Sequence, residues 1–174
     1  NMQNPKLASD FLAILQEELI PAMGCTEPVA VAYAGALARE TLGEVPEKTE
    51  LHVSGNIIKN VKSVVVPHTG GRKGLKTALA AGMLFGEADK KLEVISGIDS
   101  DITDELDGYI NSTEIEVKKA ESDFPFDIGV KVVSQNKSRA DFSAAHFICS
   151  ECKSEFRIFT SRRGEAVRYR ERRR

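Results

Sequence analysis

Cys25 stands in "GCTEPVAVAYA", between Gly24 and a Thr26-Glu27-Pro28 turn that opens into a run of small apolar residues. A thiol in this setting has little steric cover, a hydroxyl and a carboxylate beside it, and the positive end of a helix behind it. Those are the conditions under which a cysteine becomes a thiolate that attacks a substrate or ligates a metal, with Glu27 as an acid/base or supporting group. A small buried cysteine beside a helix cap has the same sequence, and chemistry alone favours that plainer reading. Further along, "SGNIIKN" sets Asn56 and Asn60 around two isoleucines. Each amide carries donor and acceptor atoms, so the pair suits the ammonium and carboxylate of an amino acid. Asparagines near glycine are also ordinary turn formers, and the stretch by itself reads as a turn.

"PHTGGRKG" (67–74) has the makings of an anion cradle: glycines that expose backbone N–H groups, a helix beginning there, and the charges of Arg72 and Lys73. It lacks the lysine-serine/threonine pair of a nucleotide-binding loop, and a carboxylate would fit it as well as a phosphate. Glycines that merely turn the chain into a helix account for it equally. His68 at its edge has the chemistry of a base near neutral pH, although a histidine in a surface turn is the commoner case. "AHFICSEC" places His146, Cys149 and Cys152 at three-residue intervals, a metal-site spacing, but no second pair matches it and zinc is disfavoured.

These residues need elements to hold them. Leu7, Phe11, Ile14, Leu15 and Leu19 recur at helical spacing over 7–20, and Pro21 ends that helix. "PVAVAYAGALARETL" predicts a buried helix, with Thr26 as its cap and Gly43 as its stop. Short strands are predicted at 50–55, 61–67 and 92–96, and a helix at 75–86 with Gly86 at its end. Ser100, Asp101 and Asp104 open a helix bearing Leu106 and Tyr109. Period-2 strands follow at 113–120 and 126–133, where Phe126, Ile128, Val130 and Val132 share a face, and further strands at 139–148 and 154–160. Helices first and strands later predict an α+β fold, the helices packed on a mostly antiparallel sheet. The expected division is a helical region over 1–88 with the cysteine turn and glycine loop, a strand-rich region over 89–160, and a disordered arginine-rich tail over 161–174.

The chain has 174 residues, 41% hydrophobic, enough to bury a core without staples. No run approaches the ~18 apolar residues of a membrane span, and no leader pattern opens the chain, so the expectation is a cytoplasmic protein that makes no membrane contact. Three cysteines form no disulfide framework. The last 13 residues hold seven of the 24 basic and two of the 26 acidic residues, which leaves an acidic body of 17 against 24. Such a tail could release counterions from nucleic acid, but with one aromatic and no recognition element it reads as a solvated end, and a nucleic-acid partner is disfavoured.

Taken in order, "GCTEPVAVAYA", "SGNIIKNVKSVVVPHTGG" and "KGLKTALAAG" resemble the amino-terminal part of the L-serine dehydratase alpha-chain-like family, which includes the L-cysteine desulfidases. The likeness covers 15–86, and a looser one continues to about residue 146. It implies a pyridoxal-independent lyase in which a [4Fe-4S] cluster removes thiol or hydroxyl from a small amino-acid substrate, giving a 2-oxo acid and ammonia. By that resemblance Cys25 is one of three thiolate ligands, and Thr26, Asn56, Asn60, Thr69, Gly70 and Gly71 hold the substrate. On their own chemistry, apart from the resemblance, Glu27 and His68 are the candidate acid/base residues. The other two ligands belong to a carboxy-terminal half that this chain lacks, and Cys149 and Cys152 do not match them. After His146 the pattern is lost, in an end that is truncated, divergent or frame-shifted. The expectation is therefore an amino-terminal fragment, inactive alone and without its cluster, whose partner is the missing half; a homodimer stays open. The rival is a non-catalytic amino-acid-binding or regulatory module using residues 89–160.

Overall fold

A computed structural model describes residues 5–18, 25–99, 102–133, 142–150, 153–162 and 165–170. Gly24, Pro21 as the end of the first helix, Ser100, Asp101 and Cys152 lie outside the described residues. The elements run α1 (Pro5–Glu18), α2 (Thr26–Leu42), β1 (Lys48–Val53), α3 (Gly55–Val61), α4 (Leu75–Phe85), a 3-10 turn (Ala88–Glu93), α5 (Thr103–Ser112), β2 (Glu114–Lys119), β3 (Phe126–Val133), β4 (Phe142–Ser150), β5 (Lys153–Arg162) and β6 (Glu165–Arg170). The class is α+β, with strand order β2-β1-β3-β4-β5-β6. The β1–β2 pair is parallel and the other four pairs are antiparallel.

Register explains the core. Leu51 of β1 sits opposite Val130 of β3 and Val53 opposite Ile128, and all four side chains are fully buried. The period-2 faces of the two strands thus match, and helices cover them. The opposite face is polar: Glu50 lies 3.3 Å from Lys118 and 3.1 Å from the ring of His52. Above the sheet, α2 and α4 are buried along most of their length. Glycine lets them touch. A Cβ on Gly82 would run into the Ala32 carbonyl, and one on Gly35 would lie 2.7 Å from the Leu79 carbonyl. Ala32 meets Gly82 and Ala36 meets Gly86, the same sequence offset in both pairs, so the two helices run parallel with their N-termini at one end. At the other end Arg39 donates to the carbonyls of Met83, Leu84 and Gly86 at 3.3, 3.3 and 2.8 Å, closing the C-terminus of α4.

Four local expectations are corrected. The stretch expected to turn at 54–60 is instead the helix Gly55–Val61, in which Ile57 and Val61, four apart, both bury. The strand expected at 61–67 shrinks to one bridge, Val65 with Lys73, since the chain reverses at once around Thr69. The strand expected at 92–96 is a 3-10 turn and bend, in which the adjacent Val94 and Ile95 both bury, an arrangement alternation forbids. Cys25, not Thr26, occupies the cap of α2, and no side chain completes the cap. Gly43 does end α2, at φ 83° with its N–H bonded to Arg39. Within the arginine-rich end, 165–170 pair with β5 as a strand.

Candidate functional site

The head of α2 holds an exposed hydrogen-bonded run. The Cys25 thiol donates to Glu27 Oε2 at 3.0 Å, and Asn60 Nδ2 donates to Glu27 Oε1 at 3.2 Å. A carboxylate accepting from both sides is held below its ordinary pKa, the thiol's bond contributing most. The thiol shifts the other way. Its bond to Glu27, then burial, push Cys25 up, and the backbone N–H groups of the helix only partly oppose this. The dipole argument for a thiolate is therefore overruled by a neighbouring carboxylate: the resting group is a thiol and its partner is the anion.

The short helix α3 brings the two asparagines to this run. Asn56 and Asn60, four residues apart, project from one exposed face of α3 while Ile57 and Val61 anchor the other. Ser54 fixes the start of α3: its carbonyl accepts the Ile58 N–H at 3.1 Å, while its hydroxyl donates to the Pro125 carbonyl at 2.8 Å and its N–H to the Asp127 carbonyl at 2.9 Å, tying α3 to the entry of β3. Thr26 is exposed in the first turn of α2.

The glycine loop enters from the same end, because α4 runs parallel to α2 and Gly74, at its cap, lies beside the Lys62 carbonyl two residues after Asn60. Gly70 and Gly71 are exposed at φ 63° and 84°, and nothing stands within 4 Å of a Cβ position on Gly71. His68 precedes them, exposed and also left-handed at φ 60°, an uncommon conformation outside glycine. Thr69 is fully buried, and its hydroxyl donates to the Val66 carbonyl at 2.8 Å, so it pins the loop. Arg72 differs from expectation. Its guanidinium grips Asp107 of α5 with two N–H groups, Nε at 2.7 Å, and also donates to the Thr69 carbonyl at 3.1 Å. It bolts the loop to α5 instead of offering its charge outward. Asp107 carries no sequence signal for this role, because only the tertiary fold places α5 beside the loop.

Of the sequence candidates, then, Cys25, Glu27 and Asn60 are joined directly, and Asn56 lies one helical turn from them. Among the described residues no group of three or more His, Cys, Asp or Glu is placed to hold a metal. His146 and Cys149 fall in β4. Cys25, paired with one carboxylate, does not amount to a three-thiolate ligand set.

No family model matches the chain. A protein of Desulfitobacterium hafniense is 53% identical over 126 residues, 72% of this chain and 29% of the relative. One of Treponema denticola is 50% identical over 95 residues, 55% of this chain and 21% of the relative, and one of a Shewanella species is 41% identical over 120 residues, 69% and 28%. All three are described as UPF0597 proteins. The chain is similar to UPF0597 proteins. That finding overturns the resemblance to the L-serine dehydratase alpha-chain-like family: strong relatives carry neither that name nor that of a cysteine desulfidase. The reading as a fragment of an iron-sulfur lyase, and the lyase and amino-acid catabolism that went with it, fall with the resemblance. The matched stretch spans less than a third of each of these relatives. No described helix is long and apolar enough to cross a membrane.

Proposed function

We propose that the shared N-terminal end of α2 and α4 binds a small zwitterionic ligand of the amino-acid class. The observation that carries the reading is the exposed Cys25–Glu27–Asn60 run: an anion held ready between two donors at a helix head. Glu27 receives the ligand's ammonium group on its remaining lone pairs, keeping its bonds to Cys25 and Asn60. Asn60 and Asn56 supply amide donors and acceptors to the polar groups of the ligand. The ligand's carboxylate is met by backbone N–H groups at the head of α4, where Gly70 and Gly71 keep side chains out of the way and the helix dipole favours negative charge. Cys25 serves as a neutral thiol that sets the Glu27 orientation. A free thiol on the surface suits a reducing compartment, and we assign the protein to the cytoplasm on that ground.

Calorimetric titration of the chain with individual L-amino acids tests the reading. Saturable binding of at least one is expected, weakened about tenfold or more, ~1.4 kcal/mol, by Glu27→Gln and by Asn60→Ala. If no amino acid binds, or if both variants bind as the parent does, the site has been misassigned.

A further inference from the structure

Helix α1 presents an apolar surface that stays open among the described residues. Leu7, Phe11, Leu12, Ile14 and Leu15 are exposed by 50, 58, 59, 54 and 48%. Leu7, Phe11 and Ile14 follow the four-three spacing of a docking seam, and Leu12 and Leu15 widen it. No packed pair of described elements that makes a substantial contact includes α1. A helix of 14 residues is marginal alone in water, so a stripe this large calls for an occupant.

Two observations select the occupant. The first is size: α1 is about 21 Å long, and one face of it falls short of the ~800 Å² that each partner of a stable dimer contributes. A segment of the same polypeptide needs less area, because tethering removes most of the association entropy. The second is length. The matched stretch is 29% of the Desulfitobacterium hafniense relative and 28% of the Shewanella one, so most of each relative is polypeptide beyond it. We propose that α1 seats its apolar stripe in a groove formed by that additional polypeptide of the longer protein, with an aliphatic floor. The rim is basic, because α1 carries three acidic residues against one lysine. Glu18 ends α1 and Thr26 begins α2, so seven intervening residues hold the docked segment within about 25 Å of the Cys25 run. This inference stands whether or not an amino acid binds there.

The test joins this chain through a flexible linker to the part of the Desulfitobacterium hafniense relative outside the matched stretch, so that the tether is kept. Amide exchange in α1 is expected to slow at least tenfold relative to the chain alone. Phe11→Asp combined with Leu15→Asp should restore the fast exchange of α1 while leaving exchange in α2 and α4 unchanged. Exchange in α1 that is as fast in the joined protein as in the chain alone overturns the proposal. So does protection indifferent to the double substitution, or a homodimer of this chain alone that the same substitution dissolves.

Discussion

Glu27 decides the chemistry of Cys25, since a carboxylate 3.0 Å from the sulfur disfavours the thiolate. Cys25 should therefore react sluggishly with iodoacetamide at neutral pH for a thiol so exposed. Glu27→Gln removes the negative charge, lowers the thiol pKa, and should speed alkylation a few-fold; an unchanged or slower rate would show that Glu27 does not govern the thiol. The Arg72 guanidinium holds Asp107 below the usual carboxylate range. The folded pKa is depressed, so the stabilisation is present above the unfolded value of about 4 and is lost as pH falls through the folded one. The stability gap between the parent chain and Asp107→Asn should accordingly be open at pH 7 and narrow below pH ~4 in urea titrations. A gap independent of pH would separate the ion pair from the stability of the loop.

Contact between α2 and α4 depends on residues without side chains. Gly82→Ala puts a methyl into the Ala32 carbonyl, with backbone on both sides and no flexible side chain to yield. It should cost about 3 kcal/mol in chemical denaturation, at the upper end of overpacking effects. Gly71→Ala meets no neighbour, and its cost is the left-handed backbone alone, about 1 kcal/mol. Arg39→Ala leaves three carbonyls at the end of α4 without their donor and should cost about 1–2 kcal/mol, with faster exchange in the last turn of α4. Element identity was legible where one periodicity dominated, as in α4 and β3, or where an apolar run between a proline and a glycine was long enough for a buried helix, as in α2. In α3 the asparagines and glycine spoke for a turn, and only the burial of Ile57 and Val61 against the sheet outweighed them.

Across the whole molecule, β1 from the helical half lies between β2 and β3 from the strand-rich half, and one core of buried side chains runs from Val29 to Val132. Neither half can keep its buried face without the other. Thermal unfolding followed by far-ultraviolet circular dichroism and by tyrosine fluorescence should coincide in one transition, Tyr109 reporting the core through its bond to the Pro46 carbonyl at 2.9 Å. Separate midpoints would mean that the halves unfold independently.

The sequence by itself determined the α+β class, the helices α2 and α4, the matched faces of β3, and the short roster of groups able to do chemistry. Each of these depends on local periodicity or residue type, which a single stretch of chain contains. Only the tertiary structure decided that Asn60 reaches Glu27 across 33 positions, and that Arg72 is spent on Asp107. It also decided that the Cys25 sulfur keeps its proton. Charge state and pairing are set by what lies within a few ångströms in space, and that neighbourhood exists only after α3, α4 and α5 have packed.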